Sequence, residues 1–249
     1  MDWESKTTGL LRLFVVCALV MVSASGLLAG DNAQLDIVGF SSDGKYFAFE
    51  QHGYYDGSGF GYASMYIIDV AKNAWAEKPI EINGEEFAMN GQEELAEDLD
   101  AIRQQLRTKI VPTFRKYGLT SATEGQKILS DFAADGPWTQ NDRKQYGFDY
   151  NGSKNMLTIS EEDAPQDASD MNSGMCPQTL KLELWGSTSK VLQEDEDGLV
   201  PHSRGGGYAR NYDISGVFVS GNSLVVFVGY HVPSFEGPSK RYIAVSTTL

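Results

Sequence analysis

The chain has 249 residues, is 41% hydrophobic and carries 34 acidic against 20 basic side chains, a formal net charge of −14. That length allows one large or two small domains, and that apolar content is ample for a core. An acidic chain whose Arg and Lys are not clustered is poorly suited to nucleic acid or to anionic lipid; its charge favours solubility and leaves cation binding open.

Residues 1–29 read as a signal peptide. Lys6 and Arg12 precede an apolar core from Leu13 to Val22, and the small residues Ser23, Ala24, Ser25 and Gly26 follow. That is the layout of an export signal, with cleavage between Ser25 and Gly30. The apolar run from Leu13 to Leu28 is short for a bilayer and interrupted by serines, so no stable membrane span is expected after cleavage. Cys17 lacks the surroundings of a lipoprotein site. The mature chain, residues 30–249, then keeps only Cys176, which excludes an internal disulfide and reads as a small buried packing residue. Export places the protein in the periplasm or outside the cell.

Leu35 to Phe40 is the first expected strand. Asp43-Gly44 is a tight-turn signal, because Gly accepts positive φ freely. After it, Tyr46, Ala48 and Glu50 share one face of a strand, and Phe47, Phe49 and Gln51 the other. Met65 to Val70 is nearly continuously apolar, as in a strand covered on both faces. Between them, Gly53, Gly57, Gly59 and Gly61 alternate with Tyr54, Tyr55, Phe60 and Tyr62. These aromatics either form a binding surface or fold back to cap the sheet end. Ala71 to Trp75 reads as a turn and Pro79 to Asn83 as a short strand.

Asn90 to Gly118 reads as one long amphipathic helix, a helical insertion near 91–117. Leu95, Leu99, Ile102, Leu106, Ile110, Phe114 and Tyr117 recur at spacings of three and four. Asn90 with Glu93 forms a capping box, and Pro112 is expected to kink or end the helix near Ile110. The helix either covers the sheet or docks a partner. Glu124 to Phe132 is ambiguous and allows a short helix. Strands are expected around Tyr146–Tyr150, Met156–Ile159, Leu180–Trp185, Lys190–Gln193, Val217–Val219, Leu224–Tyr230 and Arg241–Ser246. Ser160 to Gln178 is an acidic loop, and Ser203 to Tyr208 a glycine-rich, mobile one.

The segment from Asp43 to Phe49 is echoed by Gly221 to Phe227, and Tyr66-Ile67-Ile68 by Tyr242-Ile243-Ala244 at nearly the same distance onward. Both units place a glycine-aromatic loop between strands, and both end a strand near a histidine, His52 and His231. Two such units pair in one sheet or face one another as a sandwich. The fold class is therefore mainly β, as a sandwich or incomplete propeller-like sheets, with one long helix, in a single domain spanning residues 30–249.

The turn and strands from Ser42 to Val70 resemble one blade segment of the TolB-type β-propellers, although a propeller needs about four or more blades. More broadly, Gly39 to Glu50, Asp56-Gly57-Ser58-Gly59-Phe60 with Tyr66-Ile67-Ile68-Asp69, and Phe235-Glu236-Gly237-Pro238 resemble the predicted secreted bacterial proteins catalogued as domain of unknown function 2259. The resemblance runs from near Leu35 to Val245. It implies export and carries no catalytic residue.

Chemistry-bearing motifs are sparse. There is no Gly-x-Ser-x-Gly elbow, P-loop or His-Glu-x-x-His. Ser187-Thr188-Ser189-Lys190 has Ser-x-x-Lys spacing on what reads as turn and strand, where lysine does not lie beside serine. His52 and His231, with Asp56 or Glu236, would make a metal site if the two strand ends adjoined. Asp195-Glu196-Asp197-Gly198 resembles the start of a calcium loop, with Asp195 and Asp197 as ligands, but lacks the downstream glutamate; the alternative is a solvated acidic loop. No other cofactor is indicated. Glu50 and Asp69 would form an acid/base pair if they met in one pocket.

These readings converge on an exported, non-catalytic binding or interaction module for a protein or glycan of the cell envelope. Its recognition surface would be Tyr54, Tyr55, Phe60 and Tyr62 with His231, Phe235 and Glu236. A hydrolase working through carboxylates about 5–10 Å apart and a self-associating envelope structural protein are the alternatives.

Overall fold

A computed structural model describes residues 31–129, 143–164, 176–186, 189–201, 203–234 and 237–249. The expected signal peptide therefore lies outside the described residues.

The described chain forms three antiparallel sheets, none of them closed, with helices on one outer face. The first sheet runs β1 (Gln34–Phe40), β2 (Tyr46–Tyr54), β3 (Gly61–Asp69) and β4 (Ala74–Trp75), with β5 (Ile80–Asn83) also on β3. Three helices follow: α1 (Gly84–Met89), α2 (Glu93–Glu97) and α3 (Leu99–Lys116). After β6 (Gln126–Leu129), the third sheet is a meander of β7 (Lys144–Tyr150), β8 (Ser153–Asp163), β9 (Gln178–Trp185) and β10 (Lys190–Glu194). The chain then returns to pair β6 with β11 (Arg210–Ser220), β12 (Ser223–Val232) and β13 (Ser239–Thr248) as the second sheet. The third sheet is thus inserted, in sequence, within the second.

The second sheet is the middle layer, and alternation explains why. Phe218, Val225 and Phe227 face the first sheet, where they meet Phe40, Phe47, Phe49 and Ile68. Val217, Val219, Leu224, Val226 and Val228 face the opposite way, into a core with Leu157, Leu182 and Leu184 of the third sheet. A strand buried on both faces has no polar alternation left, hence the run Leu224–Val228. Phe227 meets Phe49 edge-to-face, with centroids 4.9 Å apart, and lies 5.8 Å from Phe47. Each such buried ring contributes about 2–3 kcal/mol of burial, plus a smaller gain from edge-to-face geometry. The echoed units therefore face one another as layers of a sandwich.

β3 is covered on both sides, as its composition requires. Ala63, Met65 and Ile67 pack with Ala48 against Ile102, Leu106 and Ile110 of α3. The predicted helical stripe is the one that is buried, but the helix is not continuous from Asn90. Asn90 ends α1, whose start is capped by Asn83 accepting from Glu85 N. Asp98 is extended and caps α3 by accepting from Ala101 N at 3.0 Å, so the chain breaks there and starts again. Pro112 does not end α3, which runs on to Lys116. Pro112 and Thr108, four residues back, are both exposed, so water can serve the carbonyl that the missing N–H leaves unpaired.

Three further expectations change. Residues 126–129 are strand, because β11 offers them an edge: Val219 pairs with Gln126 and Phe218 with Lys127. The acidic loop expected from Ser160 starts later, because β8 runs on to Asp163, which pairs with Gln178. Cys176 is exposed, not a packing residue; it sits in the connection just before β9. Where β1 meets the chain ahead of β6, Phe40 and Thr123 exchange backbone hydrogen bonds. Gly39, at φ +113°, lies so close that a Cβ there would stand 2.2 Å from Thr123 O.

Candidate functional site

The β-hairpins of the first two sheets open at one common end. There the β2–β3 loop and the β12–β13 loop touch: Ser234 Oγ donates to Asp56 Oδ2 at 2.8 Å. The β2–β3 loop is closed on itself by Tyr55 N to Phe60 O at 2.8 Å and Gly59 N to Tyr55 O at 3.0 Å. Its tip is free, since a Cβ on Gly57 or Gly59 would meet nothing within 4 Å.

Beneath the tip is a polar pedestal. Tyr62 is buried and donates to Asp31 Oδ1 at 3.1 Å. The guanidinium of Arg241 pairs with Asp31 and lies 5.3 Å from the centre of the Tyr62 ring. Tyr55 stacks on Tyr62 with centroids 4.6 Å apart and donates to Glu81 Oε1 at 3.2 Å. Burial pushes both phenols far above the ordinary tyrosine value, with the carboxylate partners adding to it, so both stay neutral donors. Arg241 supplies the positive charge that keeps buried Asp31 compensated.

Tyr54, in contrast, is 48% exposed, and Phe60 is half-buried. Of the expected recognition residues, Tyr54 is exposed, Tyr55 and Phe60 are half-buried, and Tyr62 is buried. His231 is half-buried at the end of β12, its imidazole held toward neutrality by burial and by neighbouring Lys240. Phe235 and Glu236 lie outside the described residues. Asp31, Glu81, Ser234 and Arg241 were not anticipated. Asp31 and Arg241 are 210 positions apart, and only the register of β13 brings them together.

His52 and His231 do not meet. His52 shares the face of Ala48 and Glu50, against α3. His231 has the parity of Val225 and Phe227, which face the first sheet from the other side. The backbone of the first sheet lies between them.

Glu50 is 3% exposed and bonded through Oε1 to Arg103 Nε at 2.6 Å. Arg103 also pairs with Asp36, and His52 Nδ1 stands 3.7 Å from the same Glu50 oxygen. Asp69 shares that face but pairs with Tyr46 in register. Four strand residues separate it from Glu50, about 13 Å at the usual rise. It binds Lys72 instead, at 2.6 Å. The two carboxylates are not brought into one pocket.

Asp195 turns inward rather than into a solvated loop. One oxygen pairs with buried Arg204 and the other accepts from Leu180 N at 2.8 Å. Arg204 also donates to Tyr212 Oη at 2.7 Å. The Asp197 side chain, Ser187 and Thr188 lie outside the described residues. Among the described residues, no group of three or more His, Cys, Asp or Glu is placed to hold a metal ion, and no helix is long and apolar enough to cross a membrane.

No curated protein matches the chain. A family model does match, over residues 48–247, a span that contains all three sheets apart from β1, the first residues of β2 and the last residue of β13. That span also includes both loops of the open end, and the description carried by the model, a predicted secreted protein, agrees with an exported protein. On this match the chain belongs to the DUF2259 family of predicted secreted proteins.

Proposed function

We propose that the protein is a non-catalytic binding module of the periplasm or the extracellular space, and that it captures an envelope protein or glycan at the open end of its first two sheets. The observation that carries this reading is the Ser234–Asp56 contact, which joins two loops from opposite ends of the chain above a rigid pedestal. Binding residues on loops held by a rigid scaffold are a common arrangement for recognition. Tyr54 and Phe60 supply aromatic surface at low entropic cost, while the glycines of the tip let the loop adapt. A hydrolytic role has no comparable support, since Glu50 is tied to Arg103 and distant from Asp69.

The test is capture from the envelope of the native host by immobilised protein, wild type against Tyr54→Ala/Phe60→Ala. Tyr54 is exposed and Phe60 only half-buried, and the melting temperature checks that the variant is folded. Loss of the retained species supports the assignment. Undiminished capture by the folded variant rejects it.

A further inference from the structure

At the other end of the sheets, where the tight turns lie, the structure holds a cleft of about 190 Å³. Its walls are Tyr150 and Asn151 at the β7–β8 turn, Asn155 of β8, and Asn222 of the β11–β12 turn; Leu184 and Leu249 supply the apolar part. The walls are fixed from within. Tyr150 Oη donates to Gly221 O at 2.9 Å, tying one turn to the other. Leu249 N donates to Asn222 O at 2.7 Å. Asn155 Nδ2 donates to Ser153 O at 3.1 Å. Its Oδ1 lies where a Cβ on Gly186 would come within 2.5 Å, so the glycine leaves room for the amide.

The donor set selects a ligand class. Three side-chain amides each offer both a donor and an acceptor, and among the described residues no side chain lining the cleft carries a charge. An anionic ligand would lose water here and meet no positive side chain in the lining, and a wholly apolar one would strand the amides. A ligand with adjacent neutral hydroxyls satisfies them, each hydroxyl donating once and accepting once or twice. The carbon face of such a ligand would rest on the ring of Tyr150 and on Leu184 and Leu249. The volume is well below the roughly 300 Å³ and more taken by drug-sized ligands and equals about six waters at ~30 Å³ each. That is room for a single ring.

We infer that this cleft is a binding site for one uncharged sugar ring of a glycan. It is separate from the recognition surface of the open end and does not depend on it.

The experiment titrates the full mature chain with the methyl pyranosides of glucose, galactose, mannose and N-acetylglucosamine, with methyl glucuronoside as the charged control. Binding is read by saturation-transfer NMR and by chemical shifts. A ring of about a dozen heavy atoms at ordinary efficiency binds with a Kd on the order of millimolar, and at least one neutral glycoside should do so. Asn155→Ala and Asn222→Ala should each weaken it about five- to tenfold, the usual effect of losing a hydrogen bond. Asn151 sits at φ 48°, so Asn151→Gly keeps the turn and removes only the amide; it should weaken binding without moving the melting temperature. Tyr54→Ala/Phe60→Ala should leave the titration unchanged, which separates this site from the open end. The assignment is overturned if no neutral glycoside binds up to roughly 100 mM, two decades above that Kd. It is equally overturned if the glucuronoside binds more tightly than every neutral one, or if folded amide variants bind like wild type.

Discussion

The side chain of Gln51 stands in for a neighbouring strand at Tyr242: its Nε2 donates to Tyr242 O at 2.8 Å, and Tyr242 N donates to its Oε1 at 3.0 Å. β13 is the edge of the second sheet, and three more of its backbone groups also find partners outside that sheet. Lys240 N donates to Asn32 Oδ1, Lys240 O accepts from Ala33 N, and Ser246 N donates to Asn73 Oδ1. An edge left bare is a template for pairing with another chain. Gln51→Leu keeps the size and strands both groups of Tyr242. It should cost about 2–4 kcal/mol, from two lost hydrogen bonds and partly buried polar groups without partners. Urea unfolding measures the cost, and light scattering should show increased self-association.

A second prediction concerns Arg103. It is the cation bonded to buried Glu50, and it reaches from α3 across to Asp36 on β1. Arg103→Met leaves the Glu50 carboxylate buried and uncompensated, a change that typically costs about 3–5 kcal/mol. Adding Glu50→Gln removes the stranded charge and should restore a large part of that loss, giving a strong coupling in a double-mutant cycle. Additive losses would mean that the pair contributes nothing jointly to holding α3 on the first sheet.

Much of this fold is legible in the chain because its signals are local. Asp43-Gly44 punctuates the turn, Phe47 and Phe49 alternate with Ala48, and Ile102, Leu106 and Ile110 mark the buried stripe of a helix. The likeness between Asp43–Phe49 and Gly221–Phe227 also anticipates two facing units. What is not legible depends on partners distant in sequence. Gln126–Leu129 carries no strong strand pattern and becomes a strand because Phe218 and Val219 lie alongside. Pro112 reads as a helix breaker, yet its effect depends on whether Thr108 faces water. Asp195 reads as a loop acid, and only the position of Arg204 shows that it is a core ion pair. The open end follows the same division. Its aromatics announce themselves, whereas the Asp31–Arg241 pair beneath them joins nearly the two ends of the described chain.

Stability should fall on mild acidification, and His52 is one cause. It is 2% exposed, and its Nδ1 has no hydrogen-bond partner. Burial lowers its pKa below the ordinary histidine value; Arg103 and Arg107 push the same way, while Glu50 and Asp36 oppose them. A histidine depressed in the folded state takes up its proton first in the unfolded chain. Its contribution is complete above about pH 6.5, the unfolded value, and is lost as pH falls through the folded one. His231 shifts in the same direction. The urea midpoint should therefore drop between pH 7.5 and pH 5.5, and His52→Gln should flatten that drop without abolishing it. A variant with the wild-type slope would assign the acid sensitivity elsewhere.

The Asp195–Arg204 pair separates a structural acid from a calcium ligand. Both Asp195 oxygens are engaged, one by Arg204 and one by Leu180 N, and the two charged side chains are 0% and 5% exposed. A calcium ion would have to displace the guanidinium and leave it buried beside Tyr212. Asp195→Asn keeps an acceptor for Leu180 N but removes the charge facing Arg204, and should cost about 3–5 kcal/mol. Adding Arg204→Met should recover part of the loss, since removing both charges is cheaper than stranding one. Calcium binding here would stabilise the native state by about 2.7 kcal/mol at a hundredfold excess over Kd, a rise of several degrees for a chain of this size. The expected result is a melting temperature indifferent to both calcium and EDTA. A calcium-dependent rise that Asp195→Asn abolishes would instead make the loop from Asp195 to Gly198 a cation site.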